Sequence, residues 1–339
     1  MIDLKILKNQ RIPQEVEIEL TYACPLKCKH CFQTLKPDVK RELSAKEWKG
    51  VIDQLFSEGV LRVTFTGGEV FTRRDFFEIA NYAKKKGLMV GLISSGVLVT
   101  EQIANKLKKL NPFDVAISLY SSKSPIHDSI VGVEGACKKT MNAIKLLKSK
   151  GIRIRINTCA ITSNSDSLLE TIFFVKKLKI PHSVAFWLHP PKKDKMGNFH
   201  EQLMAEKLIT SLKQMKSNGF NNEQMKMKIK GGKAEGELSC GIGKNRCSIS
   251  PYGVVYPCVP LPLSMGNLKK TSFNKIWNSN KFKRLGKINL SYLPKCKKCE
   301  LEPYCHICLA DFFMRTRNLY IPDPQICEYT KCIREVFKE

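Results

Sequence analysis

Six times between residues 16 and 190 a short apolar run stands beside a longer amphipathic one, and this rhythm restricts the fold more than any other feature of the chain. Residues 16–20 (VEIEL), 61–65, 89–93, 115–120, 152–156 and 183–188 read as strands. Residues 44–57, 76–86, 101–110, 138–150 and 168–178 read as the helices between them. Strands that are each reached through a helix run parallel, with helices covering the outside. Six such units suit either an open doubly wound sheet or an incomplete β/α barrel, and periodicity does not choose. Both put a functional site at the carboxyl ends of the strands.

After His189-Pro190-Pro191 the character changes. Residues 191–235, rich in Lys, Met, Asn and Gln with one helix expected over 200–216, read as a bridge from a core of residues 1–190 to a third region, 236–339. That last region holds nine of the fourteen cysteines, six prolines between 251 and 303, and a single expected helix over 273–285. A stretch so rich in cysteine and poor in helix cannot assemble a large apolar core, and bound metal would organise it. The compartment agrees. No run of 18 uncharged apolar residues suggests a membrane span, and Asp3 and Lys5 interrupt the leading MIDLKILKNQR where a signal peptide needs an apolar core. A cytoplasmic chain keeps its thiols reduced, so metal is expected before disulfides.

The net charge is +26. Much of the excess is lysine scattered along helices, as in Lys84-Lys85-Lys86, Lys108-Lys109 and Lys176-Lys177, and reads as solvated faces. Such a field would also draw an acidic peptide or another anionic substrate. Nucleic acid is not expected, because there is no run of five basic residues and no basic groove interleaved with aromatics.

Directly after the first strand come Cys24-Pro25-Leu26-Lys27-Cys28-Lys29-His30-Cys31. Three thiolates at x3 and x2 spacing can wrap one face of a cubane iron–sulfur cluster and leave one iron open to a ligand. Zinc would want a fourth ligand, and His30, between two cysteines, is poorly placed to supply it. About forty residues on, Val63-Thr64-Phe65-Thr66-Gly67-Gly68-Glu69 ends a strand in two glycines and a carboxylate. Glycine lets backbone groups approach a ligand without a Cβ between them, and a carboxylate at a strand's carboxyl end can accept from an ammonium.

This pairing of motifs resembles the radical S-adenosylmethionine (radical SAM) superfamily. The resemblance implies a partial (β/α)6 barrel in which the open iron chelates SAM, whose reductive cleavage gives a 5′-deoxyadenosyl radical that abstracts a substrate hydrogen. It carries the SAM amino group to Gly67, Gly68 and Glu69, the ribose to Ser118 in Ile117-Ser118-Leu119, and the adenine to His30. The chain departs from the family at Ser95, which stands where an asparagine is usual.

The remaining cysteines resemble the SPASM extension of such enzymes: Cys240-x6-Cys247-x10-Cys258, Cys296-x2-Cys299-x5-Cys305-x2-Cys308, then Cys327 and Cys332. The resemblance implies two auxiliary [4Fe–4S] clusters, the first on Cys240, Cys247, Cys258 and Cys308, the second on Cys296, Cys299, Cys305 and Cys327. Cys332 could replace Cys327, and the x2 spacer before Cys308, where x3 is usual, puts the handover of Cys308 in doubt. If Cys247 or Cys308 is not a ligand, the first auxiliary cluster keeps an open iron. Cys137 and Cys159 read as packing residues. A zinc ribbon on the C-x2-C-x5-C-x2-C stretch is the plainer alternative, but it leaves Cys240, Cys247, Cys258 and Cys327 unexplained.

By family analogy the substrate is a peptide or protein, to be crosslinked or oxidised. Ser118-Leu119-Tyr120, His127-Asp128 and Gly132-x2-Gly135 resemble the peptide-maturase branch, and Tyr120-Ser121 departs from the Asp-Gly usual in sulfatase-maturing enzymes. An external electron donor of flavodoxin or ferredoxin type is implied. Only 23 residues precede Cys24, so a separate leader-binding protein is a further expectation. The alternative among enzymes is a small-molecule precursor of haem or a metal cofactor. The alternatives outside catalysis are an iron–sulfur electron carrier or a zinc-dependent nucleic-acid binder. Residues Asp128, Glu134 and His189 are candidates to lie near a site without an assigned role.

Overall fold

The computed structural model describes residues 11–192, 199–219, 238 and 240–338. Six strands, β1 (Glu15–Thr21), β2 (Arg62–Gly67), β3 (Met89–Ser94), β4 (Asp114–Ser118), β5 (Ile154–Cys159) and β6 (His182–Ala185), pair in parallel in the order β6-β5-β4-β3-β2-β1. Strand order that follows chain order is a barrel wall, whereas a doubly wound sheet reverses at a switch point. The wall stays open, because β1 takes its second partner from the C-terminal region rather than from β6.

Helices α1 (Ala45–Ser57), α2 (Phe76–Lys85), α3 (Glu101–Leu110), α4 (Ser124–Val131), α5 (Ala136–Ser149) and α6 (Leu168–Lys177) complete this half of the molecule. In α1, Ser44 and Glu47 form a reciprocal capping box. Its Trp48, Val51, Ile52 and Leu55 make one buried stripe that shares a core with Val16, Ile18 and Leu20 of β1. The alternate residues of β1 face the barrel interior, where charges pair across strands. Glu15 meets Arg62 and Arg246, and Arg155 holds Asp114 at 2.6 Å. Helix α4 is absent from the sequence expectation because only eight residues separate Lys123 from the left-handed Gly132 (φ 67°), too few for a visible apolar period.

Two strand boundaries differ from expectation in ways that matter to the site. β5 runs to Cys159, three residues beyond the expected end, so this cysteine closes the strand instead of following it. β6 is shorter than expected, and the chain from Phe186 to His189 leaves the sheet, with Leu188 N–H donating to Gln202 Oε1 at 2.7 Å.

The cysteine-rich region grows out of the same sheet. β7 (Arg246–Ile249) joins β1 in parallel, with Cys247 opposite Val16, and β8 (Val254–Tyr256) and β9 (Gly266–Asn267) follow antiparallel. About half of the expected bridge lies within the described residues, 191–192 and 199–219, and it includes α7 (Ala205–Ser217), which falls on the helix expected over 200–216.

The helix-poor expectation for the last hundred residues needs correction. The helix expected over 273–285 is two, α8 (Phe273–Trp277) and α9 (Asn280–Gly286), because Ser279 breaks the run and caps the second by accepting from Phe282 N–H. Three more follow: α10 (Pro294–Lys297), α11 (Leu309–Thr316) and α12 (Pro324–Phe337). Asp323, accepting from Gln325 N–H at 2.9 Å, with Pro324 in the first turn, is a helix start legible in the sequence. Residues Ile333, Val336 and Phe337 of α12 share a second small core with Leu208, Leu212 and Met215 of α7. Metal is thus not the region's sole organiser.

Candidate metal centres

The first cysteine loop leaves β1 at the mouth of the barrel and is clamped from both sides. On one side Gly68 N–H donates to Thr21 O at 2.7 Å and Glu69 N–H to Ala23 O at 2.9 Å; on the other, Lys27 and Lys29 N–H donate to Val131 O and Ile130 O. A Cβ on Gly67 would lie 2.2 Å from Thr21 O, and one on Gly68 2.3 Å from Ala23 O. What comes close to these glycines is therefore the loop's own backbone. A Gly68→Ala chain is expected to lose about 1–3 kcal/mol, the usual cost of overpacking, and to bind about a third less iron after reconstitution. Unchanged iron content would show that the clamp does not shape the loop.

All fourteen cysteines are free thiols, and Cys24 and Cys31 are exposed. Burial, then the neighbouring Cys31 and Cys24, pushes the Cys28 thiol up to about 12. Cys24 is raised by burial and, more weakly, by Glu69 and Cys31. These couplings put three sulfurs and the Glu69 carboxylate in one neighbourhood. Protonated thiols that raise one another's pKa, open to solvent on one side, fit a metal cluster that displaces their protons.

Glu69 has no solvent exposure and accepts from Ser94 Oγ at 2.8 Å, Ser95 N–H at 2.9 Å and Ser95 Oγ. The residue in the usual asparagine position thus holds the Glu69 carboxylate in place. Ser118 is the last residue of β4, two positions before Tyr120. The Tyr120 ring meets His30 edge-on at 4.4 Å and stacks on His127 at 5.7 Å. His30 is 8% exposed, and burial lowers its pKa to about 4, so its ring is neutral at pH 7. Tyr120 therefore joins the two sequence candidates Ser118 and His30, a role no local motif signals. Cys159 also borders this group, since its charge raises both Cys28 and Tyr120. Asp128, by contrast, accepts from Gly135 and Cys137 N–H at the start of α5 and is structural.

The C-terminal cysteines form two further groups. Burial raises Cys258 and Cys308 well above the ordinary thiol range; Cys240 raises both further, and Cys258 also acts on Cys308. Cys247, expected beside them, lies elsewhere. It pairs with Val16 on the helix-covered face of the sheet, is 2% exposed within the apolar core, and has Glu17 and Arg11 as its charged neighbours. A side chain on the opposite face of a strand from its neighbour Ser248 is fixed there by the two-residue period. The first auxiliary group thus has three cysteines.

Cys296, Cys299, Cys305 and Cys327 line one small cavity, and the other three each raise the Cys296 thiol. Cys332 is packed instead with Tyr304 and Tyr329 in the α7–α12 core, five residues along the helix and so on another face. Cys327→Ala is expected to lose the iron of one cluster, about four atoms, and Cys332→Ala none; the reverse result would exchange their roles. Across the x2 spacer, Cys305 stays with the second group while Cys308 is coupled to Cys258 and Cys240 of the first.

Beside Cys308 lies a polar triad built on one buried aspartate. Asp311, with no solvent exposure, accepts from Trp187 Nε1 at 2.9 Å and pairs with His189 Nδ1 at 2.8 Å. In the sequence Asp311 looks like an ordinary acidic residue in a helix's first turn, so only the fold reveals it. A cavity of about 320 Å³ lies at the other end of the barrel, among Lys84, Lys108, Phe113 and Arg153. It is remote from every cysteine group.

Residues 18–175 match the radical SAM superfamily, and residues 240–300 match SPASM, an iron–sulfur cluster-binding domain. The chain thus carries a radical SAM domain and a SPASM domain; it is an enzyme that binds SAM, a [4Fe–4S] cluster and auxiliary iron–sulfur clusters. The AdoMet-dependent heme synthase of Methanosarcina barkeri is 28% identical over 343 residues, 94% of this chain and 97% of that protein. The antilisterial bacteriocin subtilosin biosynthesis protein AlbA of Bacillus subtilis is 29% identical over 315 residues, 88% of this chain and 67% of that protein. The solved structure of native anSMEcpe with bound AdoMet shares the fold at a TM-score of 0.76 and 19% identity, covering 95% of this chain and 96% of that one. Among the described residues no helix is long and apolar enough to cross a membrane.

Proposed function

We propose that this radical SAM/SPASM enzyme takes a hydrogen atom from a peptide or protein substrate and makes a crosslinked or oxidised product. When bound, the cluster at Cys24, Cys28 and Cys31 supplies the electron that splits SAM into methionine and the hydrogen-abstracting 5′-deoxyadenosyl radical. Glu69, anchored by Ser94 and Ser95, would accept from the SAM ammonium; Ser118 and His30 would bound its ribose and adenine. An external flavodoxin- or ferredoxin-type protein would deliver the electron. A reducing cytoplasm is the compartment that keeps fourteen thiols free.

The observation that carries the substrate reading is a small pocket lined by Tyr22, Leu35, Lys192, Tyr256, Val259 and Pro262. These residues flank the first cysteine loop on one side and Cys258 on the other. Lys192 is held at its wall by Glu19 at 3.0 Å, with its ammonium over the rings of Tyr22 and Phe32. An apolar side chain with a nearby carbonyl or carboxylate suits such walls, and the net charge of +26 favours an acidic partner. Similarity to the subtilosin biosynthesis protein supports the same reading. A second reading, a haem precursor, is favoured by the end-to-end match to a heme synthase.

Deuterium transfer separates the two. The reduced enzyme with SAM is expected to move deuterium into 5′-deoxyadenosine from the labelled product of a short reading frame beside its gene. Transfer from a labelled porphyrin precursor, with none from the peptide, would replace the first reading by the second.

A further inference from the structure

We infer that His189 is the fourth protein ligand of the auxiliary cluster held by Cys240, Cys258 and Cys308. The inference rests on the reading that these three cysteines bind a cluster at all. With Cys247 on the far face of β7, three thiolates would leave one iron without a protein ligand. The chain that leaves β6 supplies a candidate. A ring nitrogen of His189, the Cys308 sulfur and an Asp311 oxygen all lie within 4.8 Å of one another. His189 is thus beside a cluster thiol although 119 residues separate it from Cys308 in sequence.

The orientation of the ring is already set. Asp311 holds Nδ1, which leaves Nε2 as the nitrogen for iron; a carboxylate behind a ligating imidazole is the usual support of a histidine–metal bond. Asp311 is itself a poor candidate, because His189 and Trp187 Nε1 both occupy its carboxylate. Phe32, just past the first cysteine loop, packs edge-on against the His189 ring at 6.3 Å, so the ring stands between two cysteine groups. A neutral imidazole in place of a thiolate removes one negative charge from the ligand set. Histidine-for-cysteine ligation raises cluster potential in Rieske centres, and the same sign is expected here. His189 would also close this iron to a substrate thiolate.

The test uses the full chain carrying Cys24→Ala, Cys28→Ala and Cys31→Ala, reconstituted anaerobically without SAM, so that neither the first cluster nor the SAM nitrogen contributes. Pulsed EPR of the reduced protein is expected to show a strongly coupled ¹⁴N that becomes ¹⁵N when only histidine is labelled. His189→Ala should remove it, and His189→Cys should keep about 8 irons per chain, the content of two [4Fe–4S] clusters, while lowering one midpoint potential. About 8 irons with no histidine coupling, or coupling that survives His189→Ala, would overturn the ligand assignment alone. About 4 irons would remove the cluster, and both the reading and the assignment with it.

Discussion

A Cys28→Ala chain reconstitutes with about 8 irons in place of about 12, the difference of one [4Fe–4S] cluster, and its 5′-deoxyadenosine production from SAM falls to the reagent blank. Cys28 is the least exposed of the three loop cysteines and the one whose thiol is coupled to both others, up to about 12. Two remaining thiolates, both exposed, cannot enclose a cubane face. The fold should survive, because the loop is held by backbone hydrogen bonds to Gly68, Glu69, Val131 and Ile130 that do not involve the Cys28 side chain. Iron, sulfide and 5′-deoxyadenosine assays check the first statement, and far-ultraviolet circular dichroism the second. Undiminished cleavage of SAM with a native spectrum would sink the assignment of this loop.

The second large effect is a contrast between two cysteines that sequence spacing treats alike. Cys258→Ala is expected to lose about 4 irons, while SAM cleavage at the first site persists and the product requiring a further electron transfer disappears. Cys247→Ala should keep every iron. Its cost should be in stability, roughly 1 kcal/mol for a small buried group, because Cys247 packs on Val16 in the apolar core. Metal analysis and a denaturant titration of the holoenzymes distinguish the two. Loss of about 4 irons in Cys247→Ala would return that residue to the ligand set and displace His189.

The alternation of short and long apolar periods determined that β1 to β6 run parallel behind a layer of helices. The spacing of Cys24, Cys28 and Cys31, with Gly67-Gly68-Glu69 on the next strand, determined the chemistry of the first site. Both are local signals, since a strand's period, a helix cap and a three-ligand loop are complete within a few residues. Strand order decided between barrel and open sheet, and that depends on pairings such as β1 with β7, 231 residues apart at Glu15 and Arg246. The assignment of Cys247 was illegible for the same reason: spacing counts thiols, whereas the face of a strand decides which thiols meet. Helix α12 escaped because its cysteines read as ligands alone, though Asp323-Pro324 marks its start and its apolar stripe packs on α7. Of the triad of Trp187, His189 and Asp311, the sequence flagged only His189, and without a role. Its members gain meaning only when the end of β6 and the first turn of α11 fold together, and the burial that turns an ordinary helix-start aspartate into the partner of a histidine is a property of the assembled core.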